Sequence, residues 1–106
     1  MMADFDSHIF YHQANDAESL LIYSFWAPWC SSCAMLKPVL NALEQEYNKK
    51  ISIISVNVDD EPDLAAQFSV RYIPALIFIK NGRVVGQHTG AIPYKDIDIK
   101  INALLA

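Results

Sequence analysis

A chain of 106 residues, 53% hydrophobic and 19% charged, has the composition of a globular protein rather than a disordered, fibrous or membrane-spanning one. Twelve acidic residues against eight basic give a formal charge of -4, and Lys49-Lys50 is the only adjacent basic pair, which argues against nucleic acid as a partner. The most apolar run, Leu20 to Trp26, is far shorter than the roughly 20 residues that a bilayer span needs.

Met1 to Asp6 carries neither the basic cluster nor the apolar stretch of a secretory signal, so a cytoplasmic location without membrane contact is expected. A chain of this size buries somewhat more than about 60% of its unfolded surface. One domain over residues 1–106 is therefore expected, with a core that needs neither disulfides nor metals.

In chain order, Phe5 to Tyr11 reads as a strand, and Asn15-Asp16-Ala17-Glu18 as a cap followed by acidic residues at the start of a short helix. Leu20 to Trp26 reads as a buried strand. From Cys33 onward, Leu36, Leu40, Leu43 and Tyr47 recur at steps of three and four, which predicts a helix of about four turns kinked by Pro38. Ile51 to Val58 is rich in β-branched residues and ends at Asp59-Asp60, marking a second central strand. Pro62 opens a short helix through Phe68. Ala75 to Lys80 and Arg83 to Thr89 are separated only by Asn81-Gly82, which predicts a tight antiparallel hairpin. Ile97, Ile101, Leu104 and Leu105 mark one face of a last helix beginning near Pro93. This order, β-α-β-α-β-α-β-β-α, requires an α/β fold with a mixed sheet and helices on both faces.

Cys30 and Cys33 are the only cysteines, and they fall where a strand gives way to a long helix. Free amide N–H groups and the positive end of the helix dipole favour a thiolate at Cys30, with Cys33 one turn further in. Cys30 is thus placed to attack a disulfide and Cys33 to resolve the mixed disulfide, a step that requires a second thiol within reach. The spacing alone is equally compatible with metal binding. His8, His12 and His88 do not stand at finger-like spacing from either cysteine, so no metal is assigned. Asp59-Asp60-Glu61 reads as a turn and cap before Pro62. Phe25 and Trp26 are expected in the core, whereas Trp29, in the turn beside Cys30, is expected to face substrate.

The segment Phe25-Trp26-Ala27-Pro28-Trp29-Cys30-Ser31-Ser32-Cys33 resembles the F-W-A-x-W-C-G-P-C signature of the thioredoxin family. The likeness continues through Met35, Leu36, Pro38, Asn57-Val58-Asp59, Tyr72-Ile73-Pro74, Lys80-Asn81-Gly82 and Gly90-Ala91. What the resemblance implies is a thioredoxin fold, a central mixed five-stranded sheet flanked by four helices. It further implies a cis peptide before Pro74 and an apolar, backbone-rich substrate groove made by Trp29, Ile73, Pro74, Gly90 and Ala91, in which the Ile73 backbone pairs with an extended substrate.

Two departures bear on chemistry. Ser31-Ser32 replaces Gly-Pro between the cysteines, restoring a backbone N–H and adding two hydroxyls near the Cys30 thiolate. Ser24 and Ser55 stand where the family usually carries a buried aspartate and often its lysine partner, so proton movement at Cys33 is expected to pass through water held by the two serines. Both changes are expected to make the protein less reducing than a standard thioredoxin.

The expected function is reduction of protein disulfides by a monomer that needs no bound cofactor and is regenerated by a thioredoxin reductase or similar donor. A disulfide oxidase or isomerase is the near alternative, favoured by Ser31-Ser32 and disfavoured by the lack of an export signal. A dimer bridged by zinc or an iron-sulfur cluster is a second alternative, opposed by Pro74, which in the family fills the space that a metal would need. A pure docking domain is a third, and two thiols in reactive positions count against it.

Overall fold

A computed structural model of the chain describes residues 19–106. Its elements are β1 (Leu20–Trp26), α1 (Ser31–Tyr47), a 3-10 turn (Asn48–Lys50), β2 (Ile51–Asn57), α2 (Pro62–Gln67), β3 (Ala75–Lys80), β4 (Arg83–Thr89) and α3 (Tyr94–Leu105). The described part is an α/β fold with a mixed sheet of four strands and three α-helices. The strand and helix expected over residues 5–11 and from residue 15 lie outside the described residues. The expected fifth strand and fourth helix are therefore not among the elements seen.

The strands stand in the order β2-β1-β3-β4. β1 runs parallel to β2, as the crossover through α1 requires, and antiparallel to β3, which pairs antiparallel with β4. Asn81 at φ 55° and Gly82 at φ 76° give the two left-handed positions that a two-residue hairpin needs, which is why that dipeptide joins β3 to β4. A register shift between Phe78 and Ile79 interrupts the β3–β4 ladder.

Alternation along β1 divides the core into two layers. Leu20 and Ile22, with Leu76 and Phe78 of β3, meet Leu36, Leu40 and Leu43 of α1 and Ile97 and Ile101 of α3. On the opposite face Leu21, Tyr23 and Phe25, with Ile77 and Ile79, meet Leu64 and Ala65 of α2. The stripe read along α1 is thus its buried face, and the helix continues through Pro38, which cannot donate to the carbonyl four residues back. α2 ends one residue before the expected limit, because Phe68 caps it and Ser69 turns to φ 58°.

The far end of α1 is tied to α3 by side chains. Tyr47 donates its hydroxyl to the Asp98 carboxylate, and Tyr94 donates to Glu46. Burial first, then the hydrogen bond to Asp98 and the negative charges of Asp98 and Glu46, push the Tyr47 hydroxyl up from 10.0 to about 12. A tyrosine whose folded value is raised stabilises the fold fully below pH 10.0 and loses that contribution as pH climbs through about 12. Tyr47→Phe is expected to lack this dependence. Denaturant midpoints of the two proteins, compared on either side of the window, should converge at its alkaline end.

Candidate active site

The site lies where β1 runs into α1. After Trp26 the chain turns through Ala27, Pro28 and Trp29, and the Cys30 N–H donates to the Ala27 carbonyl at 3.1 Å. Cys30 is the N-cap of α1, with an extended backbone (φ -99°, ψ 104°), and its sulfur accepts the Cys33 N–H at 3.2 Å. A sulfur therefore occupies the place where Ser or Asp oxygen usually satisfies a free helix N–H. A helix-end amide and the positive end of the helix dipole are features that in general favour a cysteine thiolate. The Ser32 hydroxyl lies 3.5 Å from that sulfur.

Cys30 and Cys33 form a disulfide with their Cα atoms 5.3 Å apart. The pair is unequally placed: Cys30 is partly exposed, while Cys33 is only 7% exposed.

Strand register brings the other segments to the same end of the sheet. Phe25 of β1, Ala75 of β3 and Thr89 of β4 lie in one row, so the chain just beyond Trp26, just before Ala75 and just after Thr89 emerges together. Pro74 and Gly90 therefore leave the sheet at the end where β1 runs toward the cysteine turn. The Ile73-Pro74 peptide is cis, as expected, and the Gly90 N–H donates to the Pro74 carbonyl at 2.7 Å. Gly90 adopts φ +100°, which favours glycine there, and a Cβ would meet no atom within 4 Å. Pro74 is buried, Ile73 is partly exposed, and Ala91 is exposed.

Trp29 is 70% exposed, as its place in the turn suggested. Its indole N–H donates to the Asp59 carboxylate at 3.1 Å. Asp59 was legible only as a turn residue. Its second use arises because Asn57 at the end of β2 stands in register with Trp26, which carries the following turn to the cysteine loop. The Asn57 side chain then holds the Asp59 N–H at 2.9 Å.

Beneath α1 lies a cavity of about 320 Å³, whose lining includes Cys30, Cys33, Ser24 and Ser55. The parallel register pairs Ser24 with Ser55, so the two hydroxyl-bearing residues sit side by side on the sheet, Ser24 buried and Ser55 exposed. Ser24 is a buried polar residue, 6% exposed, at the centre of an otherwise apolar strand. Lys37 and Glu44 of α1 also line this cavity, and neither was singled out by sequence. Among the described residues no group of three or more His, Cys, Asp or Glu is arranged to hold a metal ion, and no helix is long and apolar enough to cross a membrane.

The thioredoxin family model matches residues 2–103. A thioredoxin of Haemophilus influenzae is 42% identical over 100 residues, covering 94% of this chain and 89% of that protein. A thioredoxin of Chlorobaculum thiosulfatiphilum is 41% identical over 87 residues, covering 82% and 81%. Among solved structures, a chain from a study of thiol resolution in yeast mitochondrial 1-Cys peroxiredoxin via glutathione and thioredoxin systems superposes with a TM-score of 0.79 at 25% identity, covering 91% of this chain and 87% of that one. Thioredoxins act on protein disulfides and in general are reduced by thioredoxin reductase. With a disulfide-capable pair at the head of α1 and this likeness along nearly its whole length, the chain belongs to the thioredoxin family and is a thiol-disulfide oxidoreductase.

Proposed function

We propose that the protein, as a single-domain monomer of the cytoplasm, reduces protein disulfides with Cys30 as nucleophile and Cys33 as resolving thiol. The observation that carries this reading is the unequal exposure of two cysteines that share one helix N-terminus, Cys30 partly exposed and Cys33 buried. The Cys30 thiolate attacks one substrate sulfur, forming a mixed disulfide and releasing the other substrate sulfur as a thiolate. The Cys33 thiolate then attacks the Cys30 sulfur, so the Cys30–Cys33 bond forms and the second substrate sulfur leaves. A thioredoxin reductase or similar dithiol donor returns two electrons to the pair. Trp29, Ile73, Pro74, Gly90 and Ala91 would form the substrate surface, with the Ile73 backbone offered to an extended chain.

Ser31, Ser32, Ser24 and Ser55 would tune the pair. The closeness of Ser32 to the Cys30 sulfur favours the thiolate and hence the reduced state, which raises the potential. This contact also favours the second reading, an oxidase or isomerase. The deciding experiment is the equilibrium potential of the pair, read from tryptophan fluorescence in glutathione buffers. We expect a value above the roughly -270 mV typical of thioredoxin; a value at or below it would refute the tuning. A value well above the cytosolic glutathione poise, about -220 to -260 mV by extraction, would favour the second reading over the first. Ser32→Ala keeps the backbone N–H and removes only the hydroxyl. It is expected to lower the potential by roughly 30 mV, the low end of what a hydrogen bond to a charged group supplies.

A further inference from the structure

The cavity beneath α1 holds one cation and one carboxylate that the mechanism has not used. Lys37 follows Cys33 by four residues, so both lie on the helix face that covers the cavity, and both line it. Glu44 lines the same space nearly two turns beyond Lys37, and its carboxylate accepts the Ile53 N–H of β2 at 3.2 Å. The sheet floor offers neutral hydroxyls only, Ser24 from β1 and Ser55 from β2. Of the other charged groups nearby, Asp59 is engaged with the Trp29 indole, and Asp98 of α3 meets α1 at Tyr47, beyond Glu44. Lys37 is therefore the cavity charge that sits next along the helix from the buried cysteine.

We propose that Lys37 is a positioning residue for the resolving step, its ammonium favouring the thiolate form of Cys33 across the cavity that both residues line. The inference rests on the resolving role assigned to Cys33. Cys33 is only 7% exposed, and burial disfavours the charged form. An opposite charge one helical turn away offsets part of that cost. The Lys37 side chain is exposed at the rim, and its flexible stem lets the ammonium stay hydrated while its field reaches inward. In the mixed disulfide, the Cys33 thiol gives its proton to solvent, and its electron pair forms the bond to the Cys30 sulfur. The bond between Cys30 and substrate breaks, and the departing substrate thiolate takes up a proton from solvent. Lys37 exchanges neither electron nor proton in this sequence.

The test is the ultraviolet thiolate absorbance of Cys33 against pH, in full-length protein carrying Cys30→Ser so that a single thiol titrates. Lys37→Gln is expected to move the titration upward by about half a pH unit, about threefold in thiolate fraction, which is the scale of one partly screened unit charge. Lys37→Arg keeps the charge and is expected to titrate with the parent, and added salt should narrow the gap between Gln and parent. An unchanged titration in Lys37→Gln overturns the proposal. So does an equal shift in Lys37→Arg, which would mark packing rather than charge. Reduction of insulin disulfides by the unmodified protein tests the reductase reading separately, so either can fail while the other stands.

Discussion

Cys30→Ser is expected to abolish disulfide reduction, with turnover falling at least about a thousandfold, the scale seen when a catalytic nucleophile is removed. The loss follows from where the sulfur sits. Cys30 is the partly exposed member of the pair, and its Sγ already accepts the helix amide that would stabilise its thiolate. A serine hydroxyl in the same N-cap position would satisfy that amide equally well, so the fold should be unharmed and the loss should be chemical. Cys33→Ser is expected to fail differently. Attack by Cys30 should persist, but no second thiol can displace the substrate, so a mixed disulfide should accumulate and be visible by intact mass and on a non-reducing gel. If Cys33→Ser turned over while Cys30→Ser trapped substrate, the two roles would have to be exchanged.

Part of this site is legible in the sequence, because its parts are local. The break between a buried strand and an amphipathic helix is visible in the sequence, and two cysteines at that break suggest helix-end thiol chemistry, although their spacing alone fits metal binding equally well. The Asn81-Gly82 hairpin is read the same way, since two left-handed residues in succession leave few other options. What escaped the sequence depends on contacts between distant segments. Asp59 lies thirty residues from the indole that it holds, and only the pairing of Asn57 with Trp26 brings them together. Ser24 and Ser55 were linked through resemblance, yet their adjacency is a matter of parallel register, which no local pattern encodes. Lys37 and Glu44 are charged residues on an amphipathic helix that carry no local sequence signal. Their place at a cavity rim follows from how α1 is set down on β1 and β2, a tertiary fact.

Phe78→Ala is expected to destabilise the protein by about 3–5 kcal/mol, a large share of the roughly 5–15 kcal/mol that a domain usually commands. Phe78 is 1% exposed and belongs to the layer where α1 and α3 meet the sheet, together with Leu36, Leu40, Leu43, Ile97 and Ile101. Lys100 of α3 lies over its ring at 5.6 Å, so truncation also removes a cation–π contact. Both strand neighbours, Ile77 and Ile79, belong to the other layer, so neither can refill the space. Val84 on β4 is 51% exposed, and Val84→Ala should change stability by no more than about 0.5 kcal/mol. Urea midpoints measure both, and comparable losses at the two positions would mean that the layer assignment is wrong. The same layer anchors the helix that carries the cysteines. Activity per folded molecule should nevertheless persist in Phe78→Ala, because the Cys30 sulfur, the Cys33 amide and Ser32 all lie within the first turn of α1 and are held there by local bonds. A variant that melts early yet still reduces disulfides when cold would separate the stability of this fold from its chemistry.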